Sequence, residues 1–110
     1  DDPSTVQTIV LNGTTETGLA GSRAEALGAE GFKTFTGNAA ANDVATSAVY
    51  FMPGYADEAA EVVAALSGST AVLQQAPADP GALASASDTT QADIAASNVI
   101  IVLGLDGQLR

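Results

Sequence analysis

Thr5-Val6-Gln7-Thr8-Ile9-Val10-Leu11 runs directly into Asn12-Gly13-Thr14-Thr15-Glu16-Thr17-Gly18. The first seven residues are rich in β-branched side chains. A period of two sets Val6, Thr8 and Val10 on one face and Gln7, Ile9 and Leu11 on the other, which predicts a strand. The next seven are turn formers whose amide and hydroxyl oxygens can cap free backbone N–H groups, so a helix is expected from near Thr17. Behind it Leu19, Ala20, Arg23, Ala24 and Leu27 recur at three- and four-residue steps, and Gly28 with Gly31 signals the end. The small residues of this face let the helix lie close to a sheet. Phe32–Thr36 (FKTFT) then reads as a short strand, with Phe32, Thr34 and Thr36 on one side and Lys33 and Phe35 on the other. Its shortness and its lysine predict an edge.

The same pattern repeats further along the chain. Gly37–Asp43 reads as a loop, Ser47–Met52 (SAVYFM) as an apolar strand, and Pro53-Gly54 as its stop. A second helix is predicted over Tyr55–Leu66, with Ala59, Val62, Val63 and Leu66 forming its buried stripe. Asp57, Glu58 and Glu61 in its first turns suit the positive end of the helix dipole and are expected on a solvated face. Thr70–Gln74 reads as a further strand. Ala76–Ser97, full of Ala, Ser, Asp, Thr, Pro and Gly, reads as a long loop with a helical turn between Thr90 and Ala96. Asn98–Leu103 (NVIIVL) is continuously apolar, the pattern of a strand covered on both faces, and it is expected beside Thr5–Leu11 at the sheet centre. The order predicts an α/β two-layer sandwich, a mixed sheet of four to five strands with two helices on one face in a βαββαβ-like order.

The 110 residues make one domain, and 46% apolar against 15% charged residues is the composition of a chain that buries a core. No cysteine or histidine is present, which removes disulfides, thiolate and imidazole chemistry and the usual zinc sites. No metal and no cofactor is expected. With 13 acidic groups against 3 basic ones, the formal charge is −10. Arg23, Lys33 and Arg110 cannot build a phosphate-neutralising stripe, so nucleic acid is not a partner, and an anionic membrane surface repels the chain. No stretch is apolar and long enough to insert into a bilayer. A start at Asp1-Asp2-Pro3 without methionine predicts a processed product or a segment of something longer. Abundant alanine with almost no lysine reads as the bias of a GC-rich genome.

If both helices begin at the carboxyl ends of their preceding strands, the loops Asn12–Gly18 and Pro53–Tyr55 open on one sheet edge, the natural crevice. Free N–H groups at the helix starts could hold a phosphate or carboxylate there. Asn12, Gly13 and Gly18 are also what a tight strand-to-helix turn requires, and their spacing fits neither a dinucleotide fingerprint nor a P-loop. Asn12 or Asn38 could hydrogen-bond sugar hydroxyls, and Tyr55, after Pro-Gly, is a better surface candidate than Tyr50, which an apolar strand would pack. The candidate ligand- or partner-binding residues are thus Asn12, Gly13, Thr14, Gly18, Asn38 and Tyr55. The acids of the second helix lack the alternating loop spacing of a calcium site. Serine and threonine lack an activating base. No catalytic residue is assigned.

Val10-Leu11-Asn12-Gly13-Thr14, Gly18-Leu19-Ala20, Leu27, Gly31-Phe32, Gly37-Asn38-Ala39, Val49-Tyr50-Phe51, Pro53-Gly54-Tyr55 and Val99–Gly104 together resemble the LytR C-terminal (LytR_C) domain. The resemblance runs from about Val6 to Asp106, so residues 1–5 read as a linker remnant, 6–106 as the domain and 107–110 as a tail. It departs from the family at Gly107, where an aromatic commonly stands. Such domains follow the catalytic domain of LytR-CpsA-Psr proteins, which attach glycopolymers to peptidoglycan in Gram-positive bacteria, or occur alone behind a membrane anchor. The resemblance therefore implies a non-catalytic, extracytoplasmic accessory module of cell-wall assembly, tethered by a transmembrane helix outside this chain. The alanine-rich composition suits an actinobacterium, whose wall polymers include arabinogalactan. Partners implied are the domain itself or other cell-wall assembly proteins. The alternative is a cell-wall glycan or lipid-linked phosphate bound at the edge formed by the two strand-to-helix loops. The phosphotransfer apparatus of the parent enzymes lies in their catalytic domain, so the resemblance carries no catalytic residue over.

Overall fold

A computed structural model describes residues 7–14, 19–39, 47–65, 73–75 and 88–104. The elements are β1 (Gln7–Asn12), α1 (Leu19–Ala29), β2 (Lys33–Asn38), β3 (Ala48–Phe51), α2 (Ala56–Ala65), β4 (Leu73–Gln75), α3 (Asp88–Ala96) and β5 (Val99–Leu103). They form a five-stranded mixed sheet in the order β2-β1-β5-β3-β4. β1 runs parallel to β2 and β5, β3 parallel to β4, and β3 antiparallel to β5. β5 pairs with β1 in the middle of the sheet and β2 lies at an edge, both as the sequence predicts.

The alternation along β1 becomes two cores. Val10 joins Ala20, Ala24 and Leu27 of α1, Val62 and Val63 of α2, and Val99, Ile101 and Leu103 of β5 on one face. Both helices thus share that layer, giving the two-layer α/β sandwich. Ile9 and Leu11 point the other way and pack with Ile94, Ile100 and Val102. All five residues of β5 are buried, which is why its sequence shows no polar face.

α1 ends by a specific device. The Gly31 N–H donates to the Gly28 carbonyl at 3.0 Å and the Phe32 N–H to the Leu27 carbonyl at 3.2 Å, with Gly31 at φ 99°. This is the Schellman arrangement, and Phe32 packs in the same cluster as Leu27, the apolar contact that accompanies it. Gly31 alone is therefore the terminator. Gly28 lies inside the helix, with open space where a Cβ would stand.

Three further expectations are corrected. Within the loop expected over Ala76–Ser97, the helical turn expected between Thr90 and Ala96 is the longer, nine-residue helix α3, which sets the buried Ile94 against the face of the sheet opposite α1 and α2. One apolar anchor among Ala, Ser and Thr leaves little periodicity to read; residues 76–87 lie outside the described part. The loop expected over Gly37–Asp43 begins later, because Gly37 and Asn38 complete β2 by pairing with Leu11 and Asn12. Such pairing overrides the weak strand propensity of Gly and Asn. Of the three acids of α2, Asp57 and Glu61 are exposed but Glu58 is buried, one helical turn before Val62 at the margin of the apolar stripe.

Candidate functional site

The carboxyl ends of β1, β2 and β5 lie together, since Asn12 is level with both Asn38 and Leu103. On the α1 side of this end, Asn12, Thr36, Gly37 and Asn38 from the strands and Ala20 and Gly21 from the first turn of α1 line an open crevice of about 250 Å³. Parallel register makes it: Val10, Asn12, Thr36 and Asn38 share one face, and Gly21 leaves open space at the first turn of α1. Among the described residues that line it there is no titratable side chain. Those residues offer amide and hydroxyl hydrogen bonds.

The Asn12 Oδ1 accepts from the Thr14 N–H at 2.9 Å and from the Thr14 Oγ1 hydroxyl at 2.7 Å, an Asx turn that closes the strand end. The Gly13 N–H donates to the Leu103 carbonyl at 2.9 Å, and the Ala39 N–H to that of Asn12 at 3.1 Å. Asn12 and Asn38 are brought together at the crevice. Gly13 and Thr14 are buried beside it as turn structure. Gly18 lies outside the described residues.

Tyr55 belongs elsewhere, and the shared loop edge does not exist. β3 runs antiparallel to β5, with Phe51 opposite Val99, so the carboxyl end of β3 meets the amino end of β5. The Pro53–Tyr55 loop is therefore at the far end of the sheet, roughly 15 Å from the Asn12 end by the rise of a strand. There the Tyr55 N–H donates to the Met52 carbonyl at 3.0 Å, with Gly54 at φ 90°. Pro53 and Gly54 thus occupy the central positions of a type II turn. The Tyr55 carbonyl accepts from the Ala59 N–H at 2.9 Å, which makes Tyr55 the N-cap residue of α2.

Two residues that sequence reasoning placed inside strands prove to be junctions. The Asn98 Oδ1 accepts from the Gln7 N–H at 3.0 Å. Its own N–H donates to the Gln7 carbonyl and its carbonyl accepts from the Met52 N–H, so one residue joins the ends of β1, β5 and β3. The buried Ser47 Oγ accepts from the Gly104 N–H at 2.8 Å. A polar residue abutting an apolar run was the available signal in both cases. The crevice residues Ala20, Gly21, Thr36 and Gly37 had no signal of their own, since only the register assembles them.

The fold and crevice define a small α/β domain that presents neutral hydrogen-bonding groups at one end of its sheet. The model of the LytR_C family, described as LytR cell envelope-related transcriptional attenuator, matches residues 5–106, and the chain belongs to that family. No curated protein and no solved structure matches it. Among the described residues, no group of three or more Asp or Glu side chains could hold a metal ion, and no helix is long and apolar enough to cross a membrane.

Proposed function

We propose that this chain is a non-catalytic, extracytoplasmic accessory domain of a LytR-CpsA-Psr type cell-wall glycopolymer ligase, acting by protein interaction. The observation that carries the proposal is the match to a cell-envelope family over nearly the whole chain. The neutral character of the described residues that line the crevice supports recognition over conversion. Co-purification with a catalytic LytR-CpsA-Psr domain tests it: stable capture is expected. Failure to capture, or turnover of a lipid-linked glycan by this chain alone, would overturn it.

A second reading is favoured by Asn12, Thr36 and Asn38 lining one crevice, where they could hydrogen-bond the hydroxyls of a wall glycan. No cation is among the described residues that line that crevice, which favours a glycan over a phosphate. Gly21→Leu is the probe, because a Cβ at Gly21 meets nothing within 4 Å and a longer side chain would fill the crevice. NMR shifts at the crevice on titrating wall fragments, lost in Gly21→Leu, are expected on this reading. Shifts that survive the substitution would remove it.

A further inference from the structure

Among the described strands the sheet ends on one side at β2, and the hydrogen-bond pattern shows which groups that edge presents. The Ala39 N–H donates to the Asn12 carbonyl, and Asn12 is level with Asn38. Backbone polar groups point alternately to either side of a strand. Residues 33, 35, 37 and 39 therefore turn theirs toward β1, and Thr34, Thr36 and Asn38 turn theirs outward. The opposite edge, β4, has only three residues. Charge marks β2 a second time. The chain holds 13 acidic residues, yet none falls between Gly31 and Asn42, where Lys33 is the only charged side chain. A six-residue strand at the edge of the described sheet, with no acid of its own on a chain of charge −10, is the place where another copy's strand can pair without a carboxylate in the ladder.

We propose that β2 pairs with β2 of a second copy of this chain, antiparallel about a two-fold axis at Thr36, so that two five-stranded sheets become one. This register uses all three outward-facing residues. Thr36 meets its own counterpart, and Thr34 meets Asn38 of the other copy, each as a pair exchanging two backbone hydrogen bonds. Phe35 falls opposite Gly37 of the other copy, where an aromatic ring covers backbone that has no side chain. Lys33 falls opposite Ala39, so the lysine that guards the edge against indiscriminate pairing faces no like charge. Each copy carries the same negative charge, so the association strengthens as salt screens the rest of the surface.

The pairing rests on reading the domain as an interaction module, but its test is separate from capture of a catalytic partner. Sedimentation of the 110-residue chain across micromolar to millimolar concentration, at low and high salt, should show a dimer that salt favours. Thr36→Pro removes an N–H that β1 does not use, and should weaken association about tenfold or more while leaving the circular dichroism unchanged. Thr36→Cys places one thiol in a cysteine-free chain. Hydrogen-bonded antiparallel partners have Cα atoms about 5.5 Å apart, within disulfide reach, so mild oxidation should give a covalent dimer faster than in Lys33→Cys. A chain that stays monomeric throughout, a dimer untouched by Thr36→Pro, or equal crosslinking at the two positions would overturn the pairing. Capture of a catalytic domain by a strictly monomeric chain would overturn it alone and leave the proposed function standing.

Discussion

β5 and β2 are both parallel neighbours of β1, yet they live in different surroundings. Every residue of β5 is buried between two layers, whereas no residue of β2 is. The backbone ladder is the same on both sides of β1, so the ladder does not decide which strand becomes the centre. Side chains decide it. Val99–Leu103 can give up water on both faces, while Lys33 and the polar Thr34, Thr36 and Asn38 cannot.

The largest expected effect lies in the centre. Ile101→Ala should lower unfolding free energy by roughly 2–5 kcal/mol in denaturant melts, because Ile101 is fully buried between β5 and the α1/α2 layer. A loss below about 1 kcal/mol would mean that β5 is not the packed centre. Next, Asn98→Ala should cost about 1–2 kcal/mol by leaving the Gln7 N–H without its side-chain acceptor, with hydrogen exchange accelerating first at that end of β1. Thr8, on β1 between the two strands, is fully buried, and among the described residues its Oγ1 has no hydrogen-bond partner. Thr8→Val should therefore raise stability by about 1 kcal/mol, and a loss would point to a partner for that hydroxyl. Smallest is the edge itself: Thr36 is exposed, and Thr36→Ala, which leaves the backbone intact, should change monomer stability by less than about 0.5 kcal/mol.

The parts of the fold legible in the sequence are those with strong local periodicity. β1, β5, α1 and α2 announce themselves through β-branched runs, a continuous apolar run and helical stripes, and the pairing of β1 with β5 follows from their shared apolarity. Strand direction has no such signature. Alternation reads the same forward and backward, so nothing within Ser47–Met52 shows that β3 opposes β5. That single reversal moves Tyr55 away from Asn12 and halves the expected site. What survives, Asn12 with Asn38, survives because β1-α1-β2 is one local crossover whose handedness and direction are constrained. α3 is legible only as a helical turn between Thr90 and Ala96, because one buried isoleucine is too little for a full helical pattern.

The central position of β5 also governs when the domain can be completed. Its neighbours β1 and β3 precede it by many residues, and the Gln7–Asn98 bond spans 91 positions of sequence. A nascent chain emerging from the ribosome or a translocon holds β1 and β3 without the strand that joins them until residue 103 is clear. Up to that moment β1 can pair only on its β2 side and β3 only on its β4 side, so each keeps one side open to association or proteolysis. Completion thus waits for β5, and a chaperone that shields Ile9–Leu11 and Val49 during that interval would guard the vulnerable step.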